Sequence, residues 1–505
     1  MVEANTKLLY GLEDKPPLGK AVVLGLQHVL TMFGSTVAVP LLLGPMMGLD
    51  TAGIALLISS VMLCSGVATL LQASFGSRLP IIQGVSFSFL SAFFGIIAAV
   101  HVEGAQVSPG AAMPYIAGAV IGGAVIEMII GFSGLMGLVR RVLSPVVVGP
   151  VIMLIGLALF RNAGATVAAS HWPIAILTML LIVLCSFVFS RWSLVFRLFP
   201  MLLAIVTAVG VCVLLSLTGV LAPDSPARPD FSAFEQASWV RGGDLLFPWG
   251  LPRFSTPFFL AILAGYLASM IESFGDYHAC KQVAAPDDHG GDPTPREISR
   301  GIGFEGVGCA LTGVFGGFSS TSYSENVGLV GLTRVGSRYV VQLGAGMLIL
   351  LGIFGKFGAL AAAIPAPVVG GLYCIMFGLI AAVGVRQFAR ADLSSDRNLM
   401  VGGFALFMGL SLPWWFENAG AQQVSAALPA SLADVVNTLG GNGMAVAAIL
   451  GITLDNLIPA TKAERGLEPR GEFTPSPLVP EADDVDAAEP APPTAPADAS
   501  RSPAE

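Results

Sequence analysis

The sequence predicts an all-α polytopic membrane protein of about fourteen transmembrane spans, built as a 7+7 inverted repeat. Three observations predict this. Of 505 residues, 54% are apolar and only 11% charged, against about 25% charged in soluble globular chains. Mean hydropathy is +0.78 over the whole length, so apolar residues recur throughout the chain and do not form a single anchor. Finally, residues match at a constant offset of 222: Gly122 with Gly344, Pro145 with Pro367, Val146 with Val368, Gly149 with Gly371 and Gly156 with Gly378. Seven spans per copy is an odd number, so the second copy enters the bilayer upside down, as in secondary transporters. Chance matching among Gly-rich helices is the plainer alternative.

Strong apolar runs, each near the 20 residues a helix needs to cross a bilayer, lie at 21–43, 51–74, 113–137, 143–160, 172–190, 198–221, 257–281, 338–363, 366–385, 398–416 and 440–459. Three weaker segments near 80–100, 303–318 and 325–333 are short or rich in Gly and Ser. With the N-terminus inside, twenty of the 25 Lys and Arg fall on inner loops and ends. Arg161, Arg228, Arg241 and Arg253 fall outside, and Lys356 falls within a span. This asymmetry is the positive-inside pattern, and dropping a middle span would scramble it. The expected organisation is a cytoplasmic N-terminus (1–17), a first seven-span repeat (18–221), an extracellular loop (222–256), a second repeat (257–460) and a cytoplasmic tail (461–505). The first 17 residues lack a signal-peptide pattern. The tail is rich in Pro, Ala and acids and is expected to be disordered.

Charge and cysteine content exclude several classes. From Ala463 onward there are ten acids and three bases, so the other 462 residues carry 23 acids and 22 bases. The acidity belongs to the tail, and the body is not basic enough for nucleic acid. The six cysteines stand singly in apolar stretches, with no metal-ligand spacing. With five histidines and no HExxH or Asp-dyad motif, a membrane-embedded enzyme is not expected, nor is a metal or other cofactor.

A carboxyl at bilayer depth costs roughly 2.5–3.5 kcal/mol on insertion scales, so each one needs a reason. Glu127, Glu272, Asp276, Glu305 and Glu325 lie within spans. Glu272 and Asp276 are spaced i,i+4 and so share one helix face. Two acids so close resist double ionisation and can hold a proton between them. A carboxyl satisfied by neighbouring hydroxyls is the alternative. Glu325 follows the hydroxyl-rich stretch 316–324, which is unsuited to lipid contact because its freed backbone groups need partners. A half-helix starting near Glu325 resolves this, with its first amides facing a ligand carbonyl. The matching place in the first half is 79–89, where Pro80 and Gly84 argue for broken structure. Phe87 there can stack on a flat ligand or simply pack in the core. His28 sits among small and hydroxyl residues. Glu127 and Glu305 lack local polar company and are read as structural partners.

These residues resemble the nucleobase–ascorbate transporter family, also called nucleobase:cation symporter-2. Its signature, Gln/Glu/Pro-Asn-x-Gly-x4-Thr-Lys/Arg/Gly, is complete as Glu325, Asn326, Gly328, Thr333 and Arg334. The Gln27-His28 pair and the Glu-Ser-x-Gly-Asp motif at 272–276 match as well. The resemblance spans about Gly19 to Pro459. It implies core and gate domains, third and tenth spans that each begin with a short strand, a homodimer, and a multi-pass place in the plasma membrane. It also implies that Glu272 binds ring N–H groups of a nucleobase and Glu325 its other edge. Phe87 and Ser35 then line the pocket, with backbone amides near Phe87 and Ser324 on the carbonyls. Asn326 holds the entry to the tenth span, His28 bonds toward Glu325, and Glu272, Asp276 and His28 serve proton or cation coupling.

Glu at the first signature position resembles the uracil permeases, where xanthine members usually have Gln. Asp276 departs from the uracil permeases, which often have His there, and Ser324 replaces their Gly, while the stretches 272–280, 335–338 and 395–398 resemble the ascorbate branch. Glu325 would repel an anion, so uracil is the first expectation, then xanthine or another purine. A proton is the expected coupling ion, with sodium as the alternative. The rivals are an anion transporter or channel, which favours a cationic or neutral midplane, and a sensor that does not transport.

Overall fold

The computed structural model describes residues 8–101, 107–158, 164–242 and 245–467. Lys7, Arg161 and residues 468–505 of the tail lie outside the described residues. The tail's first residues, expected to be disordered from 461, are instead held in place, with the Glu464 carbonyl accepting from Asn398 and Arg465 donating to Asp455. The fold is mostly helical. Among the described residues eight helices are long and apolar enough to cross a bilayer: Leu18–Met46, Thr51–Ser74, Met113–Ser133, Trp172–Arg191, Pro200–Leu217, Thr256–Ala284, Ala366–Phe388 and Asp396–Ala427. Two bent pairs, Met136–Val142 with Pro145–Leu157 (83°) and Ala430–Gly440 with Gly443–Leu457 (90°), bring the number to ten.

The remaining expected spans are shorter or interrupted. The 338–363 run breaks at Phe354 into Arg338–Ile353 and Gly355–Ala362. Lys356, expected inside a span, opens the second piece. Its ammonium donates to the Phe234 and Glu235 carbonyls and lies over the Phe234 ring. The 303–318 segment begins earlier, as the helix Pro295–Phe315, because Thr294 and Glu297 form a reciprocal capping box. That helix packs against Met113–Ser133 along small residues. A Cβ built on Gly131 would come within 2.2 Å of the Gly303 nitrogen, so only glycine permits the approach.

The weak segments near 80–100 and 325–333 are broken spans, as the sequence predicts. Strand β1 (Gln83–Val85) pairs antiparallel with β2 (Ser320–Ser322), with Gly84 opposite Thr321. A half-helix follows each strand: a turn at Phe87–Phe89 leading into Leu90–Val100, and Ser324–Thr333. Both strands are buried, so their backbone groups must find partners within the protein. Beyond the ladder, the Gln83 amide donates to Thr69 Oγ1 (2.8 Å), Ser86 to the Ser319 carbonyl (3.0 Å) and Tyr323 to the Ile82 carbonyl (3.0 Å).

Gly84 is required where the strands meet. A Cβ there would lie 2.5 Å from the Tyr323 ring, and that ring is fixed because its hydroxyl donates to the Val85 carbonyl at 2.9 Å. Gly84→Ala is therefore expected to cost about 1–3 kcal/mol through overpacking. The check is a lowered thermal midpoint of the purified protein, and an unchanged midpoint would contradict the packing argument.

Candidate functional site

The two half-helices begin where the strands end, so both N-termini, with their partly positive amides, face the same region. The long Thr256–Ala284 helix runs beside them and supplies two carboxyls. Glu272 is half-buried, and Ser88 Oγ at the first half-helix donates to its Oε2 at 3.5 Å. Asp276, one turn later and buried, accepts from Ser322 Oγ (2.7 Å) and Ser324 Oγ (2.6 Å) at the second. The i,i+4 pair thus shares one helix face and engages both broken spans, one acid each.

Glu325 and Ser324 lie on the exposed side of the second half-helix, with Gly328 one turn on. Ser35 Oγ, from the Leu18–Met46 helix, donates to Glu325 Oε1 at 3.5 Å. Phe87 is half-buried and meets Phe377 of the Ala366–Phe388 helix edge-on at 6.4 Å. Of the amides near Phe87, that of Ser88 already donates to Ser86 Oγ at 3.2 Å. A cleft of about 1290 Å³ lies farther along the first half-helix, lined by Ser91, Phe94, Ala98, His101, Trp414 and Asn437 among others.

His28 is a correction: it pairs with Asn326 and not with Glu325. The Asn326 amide donates to the His28 carbonyl at 3.0 Å and lies 3.1 Å from Nδ1. Consecutive residues of a helix point in different directions, so Asn326 faces the buried His28 while Glu325 faces the open side. Gln27 is half-buried and its carbonyl accepts from Thr31. Thr333 bonds back to the Leu329 carbonyl at 2.8 Å. Arg334 ends the half-helix at φ 58°, and its carbonyl accepts from Leu9 at 2.9 Å, strapping the N-terminal segment across the signature.

Glu305, read as a structural partner without local polar company, is held by hydroxyls from elsewhere in the chain. Ser273 Oγ (2.7 Å), Ser269 Oγ (3.3 Å) and Tyr277 Oη (2.8 Å) all donate to it. Thr321 Oγ1 closes the group at 2.9 Å from Ser269 and 3.1 Å from Ser273. Its polar company comes from another helix and a strand, where local sequence gives no sign of it. Glu127 lies on the Met113–Ser133 helix, fully buried. The hydroxyl set was missed in the sequence, although Ser269, Ser273 and Asp276 form a polar stripe at helical spacing.

Apolar crossing helices around two broken ones, with carboxyls gathered where these meet, define a multi-pass membrane transporter. The family model described as "Permease family" (Xan_ur_permease) matches residues 19–418, and the chain belongs to that family. Solute carrier family 23 member 2 of Homo sapiens is 37% identical over 92% of this chain and 76% of its own length. Nucleobase-ascorbate transporter 2 of Arabidopsis thaliana is 34% identical over 91% and 90%. Among solved structures, the fold is similar to the transmembrane domain of a cyanobacterium bicarbonate transporter, BicA (TM-score 0.52, 14% identity, 85% of this chain and 99% of that one). It is also similar to the murine anion transporter Slc26a9 (TM-score 0.58, 12% identity, 88% and 69%). The family is one of transporters, not enzymes.

Proposed function

We propose that this chain imports a nucleobase, uracil first and xanthine next, by alternating-access symport with protons. The observation that carries this reading is the pairing of Glu272 and Glu325 with serines of different elements, at the starts of the two half-helices. Carboxyls so placed accept ring N–H groups, while helix N-termini favour carbonyl oxygens. A neutral ring with alternating N–H and C=O groups has both. An anion such as ascorbate would meet acids, which disfavours it. Asp276, held by two serine hydroxyls, supports a role in coupling, with sodium as the alternative ion. The wider reading is fourteen spans in two inverted repeats, core and gate domains, a homodimer, and a plasma-membrane location with cytoplasmic termini.

The test is radiolabelled uracil uptake into proteoliposomes under imposed proton or sodium gradients, with unlabelled xanthine and ascorbate as competitors. Proton-driven uptake indifferent to both competitors supports the proposal. Xanthine transport without uracil transport would mean that Asp276 and its surroundings decide specificity. Glu325→Gln is expected to shift preference from uracil toward xanthine by about tenfold, since an amide replaces an acceptor with a donor–acceptor pair at that edge. Unchanged competition profiles would remove the argument for uracil.

A further inference from the structure

The Met113–Ser133 and Pro295–Phe315 helices bury a second pair of carboxyls, Glu127 and Glu305, at 0% and 1% exposure. The helices meet backbone to backbone at Gly131 and Gly303, and Gly306 lies against Met128 and Ala124. Glu305 is well supplied with hydroxyl donors, whereas among the described residues neither Glu127 oxygen has a hydrogen-bond partner. The titratable groups facing Glu127 are Glu305 and Cys309 on one neighbouring helix and Tyr266 and Tyr277 on the other. None of these is a cation. Two ionised carboxyls facing each other without a cation are not sustained at such depth, so the pair favours holding one proton between its members.

A line of hydroxyls joins this pair to the substrate side. Glu305 Oε1 lies 2.7 Å from Ser273 Oγ, which lies 3.0 Å from Ser322 Oγ, which lies 2.7 Å from Asp276 Oδ2. The other Asp276 oxygen is held by Ser324, next to Glu325.

We propose that Glu127 and Glu305 form a second proton-holding site, apart from the substrate, which exchanges its proton with Asp276 through Ser273 and Ser322. Along this route Asp276 gives its proton to Ser322 Oγ, which releases its own to Ser273. Ser273 in turn releases its own to Glu305. One carboxyl loses a proton, the other gains one, and no electron moves. The inference rests on the proton-coupled reading above, and it adds where the proton waits while the substrate side is rearranged.

The test uses the full chain, wild type and Glu127→Gln, in proteoliposomes with radiolabelled uracil and, in parallel, xanthine. Counterflow at equal pH on both sides needs no net proton movement, so Glu127→Gln should retain it within about twofold while accumulation driven by a pH gradient falls at least about tenfold. Ser273→Ala should lower pH-driven accumulation in the same direction. Glu127→Gln accumulating like wild type would overturn the proposal. So would equal loss of both modes in Glu127→Gln and Glu127→Asp, which marks a packing residue. Infrared difference spectra of the purified proteins decide the site independently of transport: a protonated-carboxyl C=O band present in wild type and absent from Glu127→Gln supports it, and no such difference overturns it. If wild type accumulates neither base under a pH gradient, the coupling reading fails by itself, and the infrared band still decides whether the pair holds a proton.

Discussion

A Glu272→Gln variant should reach the membrane at wild-type level yet take up radiolabelled uracil at least about thirtyfold more slowly. The two halves of this expectation have separate grounds. Folding should tolerate the change because Gln has the same shape and keeps an oxygen for Ser88. The bond it replaces is long, at 3.5 Å, and the residue is only half-buried. The loss of uptake follows from charge. A ring N–H facing an amide that has lost its carboxylate forfeits a charge-assisted bond, and truncating one member of such a desolvated pair costs about 2–5 kcal/mol. Each 1.4 kcal/mol is about tenfold. Membrane yield and initial uptake rate, measured on the same preparation, check both halves. Uptake within twofold of wild type would remove Glu272 from the binding role.

What could be read in the sequence was what depends on neighbours along the chain. Glu272 and Asp276 sit one helical turn apart, so their shared face follows from spacing alone. Pro80, Gly84 and the hydroxyl-rich 316–324 stretch spoil helices locally, so both broken spans were legible. That each begins with a short strand was implied only by family resemblance, and the pairing of β1 with β2 was not legible at all. Contacts between distant segments were hidden. Ser322 and Ser324 serve Asp276 across 46 and 48 positions, and Tyr277 serves Glu305 across 28. The sequence shows that hydroxyls are plentiful there but not which acid they reach. His28 shows the finer limit: a shift of one residue, from Glu325 to Asn326, separates the open side of a half-helix from the buried one. Glu127 was legible as an acid at bilayer depth, but what faces it was not, because those groups come from other helices.

The largest loss of stability is expected from Asp455→Ala. Asp455 is 1% exposed near the end of the Gly443–Leu457 helix. Ser144 Oγ, just before the Pro145–Ala158 helix, donates to its Oδ2 at 2.7 Å. Arg397, at the start of the Asp396–Trp415 helix, donates to Oδ1 at 2.7 Å. Arg465 donates to Oδ2 from Nη2 at 2.7 Å and from Nε at 3.0 Å, while also reaching the Arg141 carbonyl at 3.1 Å. One carboxylate therefore ties together three helix ends and the segment that follows the last of them. Removing it leaves two largely buried guanidiniums, 11% and 15% exposed, without a counter-charge. Breaking a buried ion pair from one side costs about 3–5 kcal/mol. Arg465→Ala should cost less, because Asp455 keeps Arg397 and Ser144. In the double variant Asp455→Ala with Arg465→Ala, the loss should be smaller than the sum of the two single losses, since one stranded cation is gone. Thermal midpoints of the four proteins in one detergent measure this cycle, and strictly additive shifts would mean that Asp455 and Arg465 do not act as a pair.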